Sequence, residues 1–348
     1  MQAVLCGYYG KGNGGDEALL AALLQMLPES VRPVVLSGNP QETRSRYGVE
    51  AYDRFSGWAI LSALRSSDAL ILGGGSLLQD STSLSSLLYY AGLTAVAQRL
   101  GLKTIAWAQG IGPLNRSLSQ WIATQIFRGC TAVSVRDGAS ARWLSQRNIP
   151  CIVAPDPVWA MRSIPLDDPV ELPHPRIAVC LRPHPLLTTA RLQVLTEALG
   201  QIQQHLNGGI LLLPFHRQDD RPIAEYLLGH LPGATQLLEL EHPQQLQSVF
   251  QSIDLTLSMR LHGLILAAAA GSRCYGLSYD PKVTRLMQEL CLPGWELTHL
   301  PLESSQIAQQ LSHEIQYGSA LSNDQILSLR DRGLMHQDVL NTVFLGSF

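Results

Sequence analysis

Three short runs in this chain put charged or titratable side chains directly after apolar strands, where ligands are usually met. The sharpest is Ser258-Met259-Arg260-Leu261-His262-Gly263, between the apolar run Leu255–Ser258 and an alanine-rich helical segment. A cation, a titratable imidazole and the free N–H groups of a helix start together suit an anion that also needs proton transfer. A second run, Cys180-Leu181-Arg182-Pro183-His184-Pro185, puts Arg182 at a strand end. A guanidinium there can grip a carboxylate or phosphate through two parallel hydrogen bonds. In the third, Pro214-Phe215-His216-Arg217-Gln218-Asp219-Asp220, His216 is placed to bind a ligand or orient another residue, and Asp219 and Asp220 read as caps of the next helix. The plainer alternatives are a surface arginine at 182 and a structural histidine at 262. The pairing of His262 with Arg260 at a helix start favours function.

Glycine-rich loops follow two strands of the first half. Gly7-Tyr8-Tyr9-Gly10-Lys11-Gly12-Asn13-Gly14-Gly15-Asp16-Glu17 opens a helix, and Gly12, Gly14 and Gly15 let a ligand approach the backbone closely. Asn13 and Asp16 add polar contacts, although Asp16 also fits a simple helix cap. Gly10, Gly12 and Gly15 match the dinucleotide pattern, but the second strand ends Ser37-Gly38-Asn39 without the acid that would hold a ribose. Lys11 is followed by glycine rather than Ser or Thr, so the loop is not a Walker loop. Gly73-Gly74-Gly75-Ser76 carries more glycine than a simple turn needs, and Gln109-Gly110-Ile111-Gly112-Pro113 repeats the theme one strand later. Gly74, Gly75 and Gln109 are therefore candidate ligand contacts. Arg136-Asp137 reads equally well as a ligand contact or as an ion pair and helix cap.

The elements that must position these residues alternate. Strands are expected at Ala3–Cys6, Pro33–Ser37, Ala69–Leu72, Thr104–Ala108, Ala132–Val135 and Cys151–Ala154, with helices between them. Residues 161–176 hold four prolines and no apolar period, which marks a linker. The alternation then resumes through strands at Ile177–Leu181, Gly209–Pro214, Thr235–Leu238, Leu255–Ser258 and Ser272–Ser278, and the chain finishes mainly helical, with one long helix over Asp324–Val343. The fold class is α/β: two Rossmann-like, doubly wound domains, at 1–165 and 176–320. The segment 321–348 is expected to cross back onto the first domain.

The bulk composition sets limits on function. A chain of 348 residues suits two domains at roughly 100–200 residues each. Its 46% hydrophobic and 15% charged residues describe a core-forming chain rather than a disordered one. A net charge of −3 gives no global basic field to recruit nucleic acid. The six cysteines form no C-x-x-C pair, so no metal site is expected, and they read as reduced thiols of a cytoplasmic protein. No run reaches the roughly 18 apolar residues of a membrane span.

Taken together, the Arg260-Leu261-His262-Gly263 box, the Gly12–Glu17 loop, the Gly73-Gly74-Gly75 run and Tyr279-Asp280-Pro281-Lys282 resemble the polysaccharide pyruvyl transferases, most closely the bacterial cell-surface-polymer branch. The resemblance spans nearly the whole chain, and it lies in the order and spacing of the motifs. It implies a GT-B-like arrangement with the active site in the interdomain cleft. It also implies phosphoenolpyruvate as co-substrate without a bound cofactor, and a sugar or glycan acceptor. A lipid-linked acceptor would place the enzyme at the inner membrane face, with at most peripheral association. By the same resemblance Arg182, Arg260 and His262 hold phosphoenolpyruvate, Lys282 assists, and the glycine-rich N-terminal half holds the acceptor. The runner-up is a GT-B glycosyltransferase using a nucleotide sugar, which would want an acid for the ribose near the strand ends of the second domain. A non-enzymatic sugar-binding protein comes third.

Overall fold

The computed structural model describes residues 1–80, 84–166 and 168–346. Asp167 of the proline-rich stretch and Ser347 and Phe348 of the final segment lie outside the described residues. The chain divides into two compact units. One holds Met1–Lys11, Asp16–Met161 and the C-terminal helices from Ser328 onward; the other holds Gly12–Gly15 and Arg162–Leu327.

The first unit runs β1 (Gln2–Cys6), α1 (Gly14–Met26), β2 (Arg32–Ser37), α2 (Pro40–Tyr47), β3 (Glu50–Asp53), α3 (Gly57–Arg65), β4 (Ala69–Leu72), α4 (Leu84–Arg99), β5 (Lys103–Gln109), α5 (Ser117–Arg128), β6 (Ala132–Val135), α6 (Gly138–Ser145) and β7 (Ile152–Val153). Its sheet is parallel throughout, in the order β3-β2-β1-β4-β5-β6-β7. Central strands such as Ala69-Leu70-Ile71-Leu72 are apolar at every position because helices cover both faces. The pair α2 and β3 was not expected from sequence. Helix α2 starts at Asn39, whose side chain accepts from Glu42 N–H, and it stops at Gly48 with φ 64°.

The second unit runs β8 (Arg176–Cys180), α7 (Thr189–Leu206), β9 (Gly209–Leu212), α8 (Arg217–His230), β10 (Thr235–Leu237), α9 (Gln245–Phe250), β11 (Leu255–Ser258), α10 (Leu261–Ala269), β12 (Arg273–Ser278), α11 (Pro281–Glu289), β13 (Gly294–Glu296) and α12 (Ser304–Tyr317). Its parallel order is β10-β9-β8-β11-β12-β13. Both sheets are therefore doubly wound, with the order reversing between β1 and β4 in one unit and between β8 and β11 in the other.

The last helical segment is two helices rather than one: α13 (Asn323–Gly333) and α14 (Met335–Leu345), broken at Leu334. Helix α14 is fastened to the first sheet. Trp107 Nε1 donates to His336 O at 3.0 Å, and Lys103 Nζ donates to Val343 O at 2.7 Å. The fully buried His336 imidazole lies between Ser134 Oγ (2.9 Å) and Pro155 O (3.0 Å). Nε2 faces a carbonyl, so it carries the proton, and Nδ1 accepts from Ser134. Burial pushes this histidine down to about 4. Among the described residues no helix is long and apolar enough to cross a membrane.

Candidate functional site

The order reversal of the second sheet brings two of the sequence motifs to one edge. Strands β8 and β11 pair with Ser258 opposite Cys180, and Met259 N–H donates to Cys180 O at 2.9 Å. Arg182 and Arg260 thus leave adjacent strands at their carboxyl ends, where doubly wound sheets bind ligands. His216 follows β9, and Tyr279 and Lys282 follow β12.

Arg260 is held from below and from the side. Ser258 Oγ accepts from Arg260 N–H (3.0 Å) and donates to Arg260 O (2.9 Å), which fixes the turn into α10. No side chain caps the first turn of α10, so its leading N–H groups remain outside the helical ladder. The Arg260 guanidinium pairs with Asp220, which accepts from Nε at 3.0 Å and also from Nη2. Both side chains are buried, and Nη1 takes no part in the pair. Asp220 does not cap α8 as the sequence suggested. His216 does, accepting Asp219 N–H on Nδ1 at 3.2 Å, while Asp220 accepts His216 N–H at 2.9 Å. Asp220 is therefore the hub between His216 and Arg260. It neutralises most of the Arg260 charge, a role with no local signal because the two residues lie forty positions apart.

The Gly12–Gly15 loop is built into this unit. Gly14 N–H donates to Phe215 O at 2.6 Å, Arg217 N–H donates to Gly12 O at 3.1 Å, and Asn13 bridges His216. Asn13 Oδ1 caps α1 through Gly15 N–H at 3.1 Å. Gly15 packs on His262: a Cβ there would lie 2.9 Å from Cγ, 3.2 Å from Cβ and closer still to Nδ1. Gly12 adopts φ 73°, which favours glycine.

Arg182 has a different partner. Its Nη1 donates to Tyr279 OH at 2.8 Å, and its Cζ lies 5.1 Å from the Tyr279 ring centroid. His184 packs on the same ring at 4.7 Å. Burial, with Arg182 adding to it, holds His184 below the usual histidine range. Asp280 Oδ1 caps α11 by accepting Lys282 N–H at 2.8 Å, which sets the half-buried lysine one turn from Tyr279. Tyr279 was legible only as part of a motif; its support of Arg182 is a tertiary contact.

The remaining sequence candidates lie in the first unit. Asp16 Oδ1 is beside Gly75, 3.6 Å from where a Cβ would stand, and Gly75 needs its glycine because φ is 112°. Gly74 is glycine for packing, since a Cβ would meet Leu19 Cδ2 at 2.7 Å. Gln109 is fully buried, and its Nε2, with two protons to donate, lies within hydrogen-bond reach of the carbonyls of Leu72 (3.2 Å), Gly73 (2.5 Å) and Trp107 (3.0 Å). It braces the glycine loop, and its amide protons face the backbone rather than open space. Arg136 pairs with Asp156 at 2.5 Å, and Asp137 caps α6. Glu17, which sequence reasoning did not single out, is buried and accepts Gly10 N–H at 2.7 Å, so it anchors the start of the loop. Among the described residues no group of His, Cys, Asp and Glu is arranged to hold a metal ion.

The family model described as polysaccharide pyruvyl transferase matches residues 13–281. No curated protein matches the chain in sequence. In fold the chain is similar to UDP-GlcNAc 2-epimerase from Neisseria meningitidis, solved bound to UDP-GlcNAc, with TM-score 0.65, 10% identity and all of both chains covered. It is also similar to HepE from Anabaena in complex with UDP-glucose, with TM-score 0.62, 12% identity and again all of both chains covered. MurG from Acinetobacter baumannii aligns with TM-score 0.50 and 12% identity over 98% of this chain and 97% of its own. At these identities the likeness establishes the GT-B-like fold alone.

Proposed function

The chain belongs to the polysaccharide pyruvyl transferase family, and on that premise we propose that it moves the enolpyruvyl group of phosphoenolpyruvate onto a sugar of a cell-surface polysaccharide or its lipid-linked precursor. The product is a cyclic pyruvate ketal. One observation carries the reading: Arg182 and the Arg260–His262 turn leave neighbouring strands at the point where the order of the second sheet reverses. That supports a dianion site beside a titratable imidazole.

The chemistry assigns each group a task. Phosphoenolpyruvate carries a carboxylate and a phosphate. Arg182, positioned by Tyr279 and with no carboxylate partner among the described residues, supplies a guanidinium for them. Arg260 contributes Nη1, while Asp220 holds it rigidly. The uncapped N–H groups of α10 and Lys282 add further positive potential. His262 protonates the vinyl carbon, leaving an oxocarbenium-like C2. A sugar hydroxyl bonds to C2 and gives up its proton. The C2–O bond to phosphate then breaks, phosphate departs with the electron pair, and a second hydroxyl closes the ketal with loss of its proton. Asp16, beside Gly75, is the proposed acceptor contact.

The test is ligand-induced stabilisation of the full chain. Phosphoenolpyruvate should raise the melting temperature, and Arg182→Ala should remove the shift. Stabilisation by nucleotide sugars with none by phosphoenolpyruvate would replace this reading with a glycosyltransferase.

A further inference from the structure

The first unit carries an aromatic and cationic cluster at the carboxyl ends of β1 and β3. The proposed donor chemistry does not use it. Arg54 is only 5% exposed, and its Cζ lies 5.8, 5.4, 4.8 and 5.5 Å from the ring centroids of Tyr8, Phe55, Tyr89 and Tyr90. Nη1 donates to Gly7 O at 3.0 Å and Nη2 to Tyr90 OH at 3.1 Å, while Nε has no partner among the described residues. None of these partners is a carboxylate. Lys11 Nζ stands 5.5 Å from the centroid of the same Phe55 ring, and no carboxylate pairs with it among the described residues. Asp53, the neighbouring acid in sequence, is occupied by Phe55 N–H at 2.8 Å. The lysine stem runs along Gly38, where a Cβ would stand 2.7 Å from Cε and 2.9 Å from Cδ. Glycine at 38 keeps that path open.

Two cations thus share one ring with no carboxylate paired to either among the described residues. Ring faces compensate part of the cost of burying Arg54, and the uncompensated field favours an anion. The rings are not sealed: Phe55 is 69% and Tyr8 41% exposed. Arg54 lies within cation–π range of both, and Phe55 also packs on Tyr89 with centroids 5.9 Å apart, which offers a surface for the C–H face of a pyranose.

We propose that Phe55, Tyr8 and Lys11 bind an anionic pyranoside, its sugar ring on the aromatic faces and its phosphate or carboxylate against Lys11, with Arg54 behind. Naming this sugar as the acceptor rests on the function proposed above; the binding itself does not. Calorimetric titration of the full chain with N-acetylglucosamine 1-phosphate, glucuronic acid, N-acetylglucosamine and inorganic phosphate tests it. At least one of the two anionic sugars should bind, and the better of them identifies phosphate or carboxylate as the anion. Neutral sugar and bare phosphate should bind at least about tenfold more weakly. Phe55→Leu, which keeps an apolar side chain without a ring face, should weaken the anionic sugar by about tenfold. Lys11→Gln should erase the preference for the charged sugar. Both variants should keep the ligand-free melting temperature of the wild type, which excludes misfolding. If neither anionic sugar binds, or if binding is indifferent to both substitutions, the proposal is overturned. If an anionic sugar binds through Phe55 and Lys11 but phosphoenolpyruvate does not bind, this site stands and the donor reading falls.

Discussion

Gly15 and His262 are in direct contact: the glycine Cα faces the imidazole so closely that a single methyl group would collide with Nδ1. Gly15 thereby bounds the ring on one side, and the turn after β11 carries the residue. A residue without a side chain at 15 is a requirement of the imidazole position.

Gly15→Ala is the corresponding test. Alanine's better helix preference is set against the collision with His262, so the fold should hold with at most a modest loss of stability. The imidazole must move, and a misplaced acid group should lower turnover by roughly 10²-fold. Melting temperature and phosphate release measured side by side check this; wild-type turnover would show that the contact does not position His262.

Asp220→Ala should leave Arg260 buried and unpaired, costing about 3–5 kcal/mol of stability. The double variant Asp220→Ala/Arg260→Met should recover much of that loss, because it removes the orphaned charge as well. Denaturant unfolding of the two variants reads the difference. If the double variant is no more stable than the single, Asp220 acts through His216 rather than Arg260.

Tyr279→Phe removes the hydroxyl that accepts from Arg182 while keeping the ring beneath the guanidinium. KM for phosphoenolpyruvate should rise several-fold with little change in kcat, since the lost contact orients a binding group. A fall confined to kcat would contradict this assignment.

His336 predicts a pH dependence of stability. Its folded value, about 4, lies below the ordinary 6.5. Below pH 6.5 the unfolded chain takes up the proton, and the folded chain does not until about pH 4. Stability therefore falls as pH drops through that window, by roughly 3 kcal/mol at most. Glu17 works the other way: burial raises its pKa, so the folded state takes its proton first on acidification. His336→Gln should be less stable at neutral pH but flatter between pH 6.5 and 4. An equally steep acid limb in the variant would assign the dependence to other groups.

Much of the fold was legible because buried parallel strands are written as apolar runs. Ala69–Leu72, Ala132–Val135 and Leu255–Ser258 have the expected limits. Helix α2 was not legible, since Pro-Gln-Glu-Thr-Arg-Ser-Arg-Tyr has no apolar stripe and only Thr43 is buried. Edge strands β3 and β13 were too short to signal themselves. At the break before Met335, Gly333 lies near Ala160 and Trp159, residues far away in sequence that no local pattern points to. At the site, residue types after strands pointed to Arg182, Arg260 and His262. The partners that set their charge and orientation, Asp220, Tyr279 and Gly15, come from tertiary contacts that no local pattern encodes.

The proposed function makes phosphoenolpyruvate the donor and His262 its acid. The most direct measurement is phosphate release from phosphoenolpyruvate, with acceptor glycan, by wild type and His262→Gln, alongside the donor-induced rise in melting temperature. Turnover should fall by roughly 10²–10⁴-fold while the rise is largely kept, because Arg182 and the Arg260–Asp220 pair remain. Near-wild-type turnover in His262→Gln, or a wild-type protein that neither binds nor consumes phosphoenolpyruvate, would contradict it.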